Sequence, residues 1–421
     1  MPDQSAEPLA RLAVTTPWHP TLQRPFAGSF VQATTAAVRG LFDRVDLYNT
    51  EDWTGPADPV QAQLVGKAYA ALTSGPSRRI DFTARWTDEG YWVTDIPTPV
   101  TPKRDYATWA HSHESALAPV LPGGRFEADI VHGHVGIYGG WLAHRFARPD
   151  ARIVVTEHAS FLGRILGQPR SRALYAEVMD RADAVLCVSE KLRRELAGEF
   201  PGHTGKIHVV PNAVDIEAMP VRPKPVTELH KWIYVGKVAA AKGVPELVEA
   251  FGVAAKDEPA LRLTILGSGP LVDPLRARTA ELGVADRVVF HDAVPPQRVF
   301  EFLHAHDLLV HPSKSETFGM TTVEAVGSGM PVLVTRCGGP EETLGGLDGV
   351  AGLLIDVSDD PDVIVDGFRR LAQQMAGLDP DRARAELIGR YGARAVAQRL
   401  AGIYGVGDSA ERNWAPAREQ A

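Results

Sequence analysis

The sequence predicts an α/β protein built of two successive doubly wound domains. Three observations carry this. Short β-branched runs alternate with amphipathic stretches along most of the chain. The runs are apolar on both sides, as strands of a parallel sheet covered by helices must be. The rhythm occurs twice, in two sets of similar size, with a proline-rich stretch between them. At 421 residues the chain has room for two or three ordinary domains.

In chain order, the first set of strands is expected at 12–16, 45–48, 130–132, 153–156, 184–188 and 208–210. The second is expected at 231–235, 262–266, 288–290, 307–310, 332–335 and 352–355, with helices over 245–255, 270–282 and 297–305. Residues 50–125, rich in Pro, Trp and His, are less regular and read as an elaboration of the first domain near its substrate face. The stretch AMPVRPKPVTELH, residues 218–230, is predicted to be a stiff extended connector. It sets the domains at 1–217 and 218–391. A cleft between two such domains is the natural ligand site, because strand C-termini face it.

Composition narrows the function. With 44% hydrophobic and 23% charged residues the chain reads as soluble and globular. A formal net charge of −8 argues against a nucleic-acid partner. Two local basic clusters, Arg164, Arg170 and Arg172, and Lys191, Arg193 and Arg194, read first as solvated helix faces. The alternative is a surface for an anionic acceptor or a membrane. The two cysteines, Cys187 and Cys337, read as buried thiols in a reducing compartment and build no metal site. The N-terminus lacks a signal-peptide pattern and no run of eighteen apolar residues occurs. A cytoplasmic location is expected, with peripheral membrane contact left open, and a monomer or homodimer.

The most informative region is HDLLVHPSKSETFGMTTVEAVGSGMPVLVTRCGGPEE, residues 306–342. A strand ends near His311, a loop follows, and a helix begins near Gly319 or Met320. Gly319 permits a tight turn that brings the first helical amides toward a ligand. Those amides and the positive end of the helix dipole suit a diphosphate or sugar hydroxyls. Glu316 lies in the loop and Glu324 about a turn into the helix. Either glutamate alone reads as an ordinary surface residue. As a pair they could be the acid and base of a glycoside hydrolase, but one in a loop and one in a helix more naturally touch different parts of a long ligand.

The segment SETFGMTTVEAVGSGMPV resembles the family 4 glycosyltransferases, whose hallmark is Glu, seven residues, Glu, and which have the GT-B fold. The resemblance implies that Glu316 binds hydroxyls of a donor sugar, that Glu324 binds the nucleotide ribose, and that backbone amides of Phe318, Gly319, Met320 and Thr321 hold sugar and phosphates. YVGKVAAAKGVPELVEAF, residues 234–251, resembles the family's phosphate-binding loop. Lys242 matches its diphosphate lysine, and Lys237 stands where arginine is frequent, keeping the charge but losing the bidentate geometry. LRLTILGSGP, residues 261–270, resembles the next strand and turn; Val272 and the missing third glycine set it apart from a dinucleotide fingerprint.

In the first domain, RLAVTTPWHPTLQRPFAGSFVQATTAAV resembles the family's opening strand, loop and helix, with Gly28 near the diphosphate. ADIVHGHVGIYGGWLA resembles the next strand and loop, where His134 reads either as lining the cleft or as a packing or capping histidine, and IVVTEHASF aligns His158 with the histidine the family places beside the donor sugar. Ser189 and Asn212 fall in further matching segments. The resemblance is strong over 128–357 and thin over 50–125. It implies a nucleotide-sugar donor, UDP-linked rather than GDP-linked by preference, a small-molecule, natural-product, glycan or cell-envelope acceptor, and residues 392–421 crossing back to the first domain. It also implies retention of configuration with neither a metal nor a cofactor. Transfer would be front-face, with Lys242 and Lys237 serving the leaving group and His158 and Glu316 orienting the sugar. An epimerase acting on a nucleotide sugar, or a non-catalytic nucleotide-sugar-binding partner protein, are the alternatives.

Overall fold

The computed structural model describes residues 10–21, 24–53, 82–101 and 105–406. It divides into two compact units, Met1–Asn212 with Val396–Ala421, and Ala213–Ala395. The breaks thus lie at 212 and 396, against 217 and 392 expected from the sequence. Of the expected return segment, residues 407–421 lie outside the described residues.

The first unit is built on β1 (Arg11–Thr16), β2 (Arg44–Asn49), β3 (Asp52–Trp53), β4 (Arg85–Trp86), β5 (Trp92–Asp95), β6 (Thr98–Pro99), β7 (Ile130–His134), β8 (Arg152–Glu157), β9 (Ala184–Cys187) and β10 (Ile207–Val209). Eight of these form one sheet in the order β10-β9-β8-β7-β1-β2-β5-β4, parallel except for β4 at the edge. β3 and β6 pair separately. The expected strands of this half appear: four are extended by one residue or two, β9 ends one residue early at Cys187, and β10 is shifted by one residue. Strands β3 to β6 were not foreseen, because they are only two to four residues long and lack a readable apolar alternation. The helix Ala393–Tyr404 brings Tyr404 to this sheet, where its hydroxyl meets His132 Nδ1 at 2.7 Å.

The second unit carries β11 (Lys231–Val235), β12 (Arg262–Leu266), β13 (Val288–His291), β14 (Leu308–His311), β15 (Val332–Thr335) and β16 (Gly352–Ile355). They form an all-parallel sheet in the order β13-β12-β11-β14-β15-β16. β14, β15 and β16 are buried along their whole length, as expected of strands covered by helices on both faces. Trp232 anchors the core, packed edge-on against Phe368 with ring centroids 4.7 Å apart.

Residues 218–230 form neither helix nor strand, but they are more than a connector. Leu229 is buried in the second core, Arg222 N donates to Ser328 O at 3.0 Å, and the Arg222 guanidinium donates to Leu303 O at 3.0 Å and to His306 O, capping the helix Pro296–Ala305. The arginines of the two basic clusters are largely occupied: Arg172 pairs with Glu199 at 2.5 Å, Arg193 with Glu190 at 2.6 Å and Arg170 with Asp105 at 3.5 Å. This is the solvated-face reading. Cys187 and Cys337 are both buried, and neither is in a disulfide. Among the described residues no helix is long and apolar enough to cross a membrane.

Candidate active site

In a doubly wound sheet, ligands sit beyond the strand C-termini where the order reverses. In the second unit that point lies between β11 and β14, whose neighbours run outward in opposite directions. The two loops leaving it carry Lys237 and Lys242, and Glu316 and Gly319. They are packed backbone to backbone: Gly243 has φ +67° and a side chain there would begin 1.9 Å from Pro312 O. Lys314 N also donates to Ala241 O at 3.0 Å.

Lys242 ends a short 3-10 turn and its Nζ donates to Glu316 Oε1 at 2.6 Å. His311 Nε2, at the end of β14, lies 3.0 Å from the same oxygen. The Glu316 backbone is pinned by Glu316 N to Cys337 O at 3.3 Å and Gly339 N to Glu316 O at 3.0 Å. Burial alone would push the Glu316 carboxyl up, but the hydrogen bond and charge of His311, then Lys242, outweigh it and hold it down at about 2. The group is a carboxylate across the physiological range.

Gly319, at φ +89°, precedes the helix Met320–Gly327, and no side chain caps that start. The first amides of the helix, at Met320 and Thr321, are thus left without a capping side chain, as the amides of an anion or hydroxyl site would be. The Phe318 side chain is buried and meets the Tyr391 ring edge-on, so only its backbone is offered to a ligand. Glu324 is half-buried, and its carboxyl has no hydrogen-bond partner among the described residues; burial lifts that carboxyl to about 7. Lys237 is exposed and makes no ion pair among the described residues, while its carbonyl accepts from Tyr234 Oη at 2.8 Å. The structure thus brings Lys242, Glu316 and the loop before Gly319 into direct contact, with Lys237 exposed at the rim. His311 and Lys314, the latter paired to Glu246 at 2.7 Å and to Asp359, were missed. His311 is recoverable by the argument applied to His158, a histidine at a strand's C-terminal end.

In the first unit the sheet order reverses between β1 and β7. His134 is the last residue of β7, and His158 directly follows β8. His134 Nδ1 and His158 Nε2 are 2.9 Å apart, and His132 stacks on His134 at 4.4 Å. Phe30, two residues past Gly28, lies 4.5 Å from the His158 ring centroid, so the structure gathers Gly28 and His158 in one place. Burial pushes His132 and His158 down to about 3 and His134 well below its usual value. His158 is therefore a neutral hydrogen-bonding group. The loop that presents it is organised by buried Glu157, which accepts from His158 N at 2.8 Å, Ala159 N at 2.7 Å, Gly136 N at 3.1 Å and Tyr175 Oη at 2.8 Å. Val135, just after His134, has φ +69°, a strained conformation for a β-branched residue. Ser189 spends its hydroxyl capping the helix Glu190–Glu199.

Two expectations follow. Gly28 has φ +67° and a side chain would begin 2.1 Å from Trp18 O, so Gly28→Ala should cost about 2 kcal/mol or more of stability. A denaturant midpoint unchanged from wild type would refute this. Histidines depressed by burial bind protons in the unfolded chain before the folded one, so their contribution is complete above pH 6.5 and is lost as pH falls toward 3. Glu157, raised by burial, works the other way. The first unit should lose about 2 kcal/mol or more between pH 7 and pH 5; in urea titrations at the two values, His132→Phe should flatten that loss.

Residues 215–386 match the family described as Glycosyl transferases group 1, and residues 68–218 match Glycosyltransferase Family 4. Part of the latter match lies outside the described residues. The chain is 27% identical over 363 residues to a D-inositol 3-phosphate glycosyltransferase of Nocardia farcinica, covering 80% of this chain and 73% of that one. Among solved structures, sucrose-phosphate synthase from Thermosynechococcus elongatus superposes with TM-score 0.69 at 16% identity, covering 94% of this chain and 98% of that one. Anabaena HepE in complex with UDP-glucose gives TM-score 0.65 at 16% identity, covering 94% and 99%. The likeness to these structures lies in the fold, two Rossmann-like α/β domains of GT-B type.

Proposed function

Because this chain belongs to the group 1, family 4 glycosyltransferases, we propose that it moves a hexose-type sugar from a nucleotide-sugar donor, with UDP the favoured nucleotide, to an acceptor hydroxyl. The observation that carries the donor reading is the gathering of Lys242, ionised Glu316 and an uncapped helix start at the switch point of the second sheet. An ammonium beside uncapped amides suits a diphosphate. A carboxylate beside them suits sugar hydroxyls, and the Glu324 carboxyl, lacking a partner among the described residues, suits the two ribose hydroxyls. Lys242 and Lys237 would supply the positive charge that a metal supplies elsewhere, which makes the transfer metal-independent in this reading.

Retention follows from a front-face reaction in which the leaving phosphate oxygen receives the acceptor proton. His158, neutral at physiological pH, fits this as a hydrogen-bonding residue rather than a proton shuttle. The acceptor class is a small molecule, natural product or cell-envelope precursor, and the Nocardia relative's name makes a phosphorylated polyol the first to test. The experiment is an assay with UDP-glucose and an inositol phosphate in excess chelator, the product anomer read by NMR. An α-linked product formed at the full rate supports the reading. An inverted product, or abolition by chelator, removes retention or metal independence respectively. An epimerised sugar formed without acceptor would move the chain to the epimerase alternative.

A further inference from the structure

Glu316 is served unevenly by the protein. Oε1 lies 2.6 Å from Lys242 Nζ and 3.0 Å from His311 Nε2, while Oε2 has no partner among the described residues. A carboxylate only accepts, so His311 must carry a proton on Nε2. The imidazole is buried, and it stacks on Tyr234 with centroids 5.4 Å apart and planes 6° apart. Tyr234 in turn holds the Lys237 carbonyl. His311 is thus wedged in place and can act on a ligand only through Glu316.

Lys242 is different. It sits on a surface turn, half-buried, and in the reading above its ammonium also answers to the diphosphate. When it turns toward phosphate oxygens, Glu316 would lose one of its two donors. A carboxylate in a mostly buried site without a donor would swing toward water or take up a proton.

We infer that His311 is the positioning residue of the sugar-binding carboxylate: it holds Glu316 Oε1 while Lys242 serves the diphosphate, so that Oε2 stays aimed to accept a donor hydroxyl. This rests on the donor reading. It goes further in assigning the preference for a nucleotide sugar over the bare nucleotide to a buried residue that never touches either.

The test is calorimetric titration of the full chain and its variants with UDP and with UDP-glucose. His311→Phe keeps the stacked ring and removes the donor; it should weaken UDP-glucose by about tenfold and UDP by less than about twofold. His311→Gln, whose amide nitrogen reaches the former Nε2 position, should recover most of the loss. Equal weakening of both ligands would mean that His311 is merely structural, and unchanged affinities would remove it altogether. Wild type that binds neither ligand would overturn the donor reading, and the inference with it. Wild type that binds both, with the ratio of the two affinities unmoved in His311→Phe, overturns the inference alone. Independently of any variant, long-range 1H–15N spectra of the wild-type chain should show His311 protonated at Nε2; an Nε2 without a proton contradicts the assignment.

Discussion

Lys242→Ala should lower kcat by about a hundredfold to a thousandfold with the fold intact. The ammonium is the charged group nearest to Glu316, 2.6 Å away, and it stands on a loop whose course is dictated by the contact of Gly243 with Pro312. Its removal has two consequences: the departing diphosphate loses a positive charge where negative charge develops, and Glu316 keeps only His311. The first falls on kcat, because the interaction strengthens in the transition state. Lys237→Ala, at an exposed residue without an ion pair among the described residues, should cost about tenfold at most. Steady-state kinetics on the two variants give the comparison. A Lys242→Ala enzyme within about twofold of wild type would take the lysine out of the mechanism.

The second large effect concerns Glu324, where function and stability should move in opposite directions. Burial holds its carboxyl at about 7 in the free protein, above the ordinary glutamate value. The folded state therefore binds a proton that the unfolded state releases, and stability falls as pH climbs from about 4.5 through 7. Glu324→Gln removes that liability. It should stabilise the second unit at pH 8 by about 1–2 kcal/mol, discounted for partial contact with water, and by little at pH 5. The same change should weaken nucleotide-sugar binding by about tenfold at pH 8, where the lost group is an ionised acceptor for ribose hydroxyls. Wild-type affinity should rise from pH 6 to pH 8 and the variant's should stay flat. An intact nucleotide sugar is the right ligand, since its diphosphate bridge does not titrate in this range. Thermal melts and calorimetry at both pH values decide it: a variant that binds as well as wild type would rule out the ribose role.

Much of this was readable in advance, for uneven reasons. The expected strands were easiest to read where their apolar runs are buried along their whole length, as in β9, β14, β15 and β16, because there pattern and packing say the same thing. Strands β3 to β6 escaped because strands of two to four residues have little or no period to read, and for β5 the parallel partner lies far along the chain, Asp46 beside Trp92. The loop–helix placement of Glu316 and Glu324 followed from one glycine. The joint claim of Lys242 and His311 on a single oxygen could not, since residue 242 and residue 316 meet only through the β11–β14 pairing. The stretch at 218–230 was correctly denied regular structure, but its attachment through Arg222 rests on carbonyls at a helix end that no local pattern announces.

The helix Met320–Gly327 is finished differently at its two ends. Its amide end has no capping side chain, whereas the carbonyl end is clamped by Arg384, which donates to Gly327 O and, at 2.6 Å, to Ile216 O. A selection for altered donor affinity would therefore return changes at residue 384, on a separate helix. They would resemble communication at a distance. The cause would be plain fraying: an eight-residue helix that loses its last turn has little left to hold its first in register.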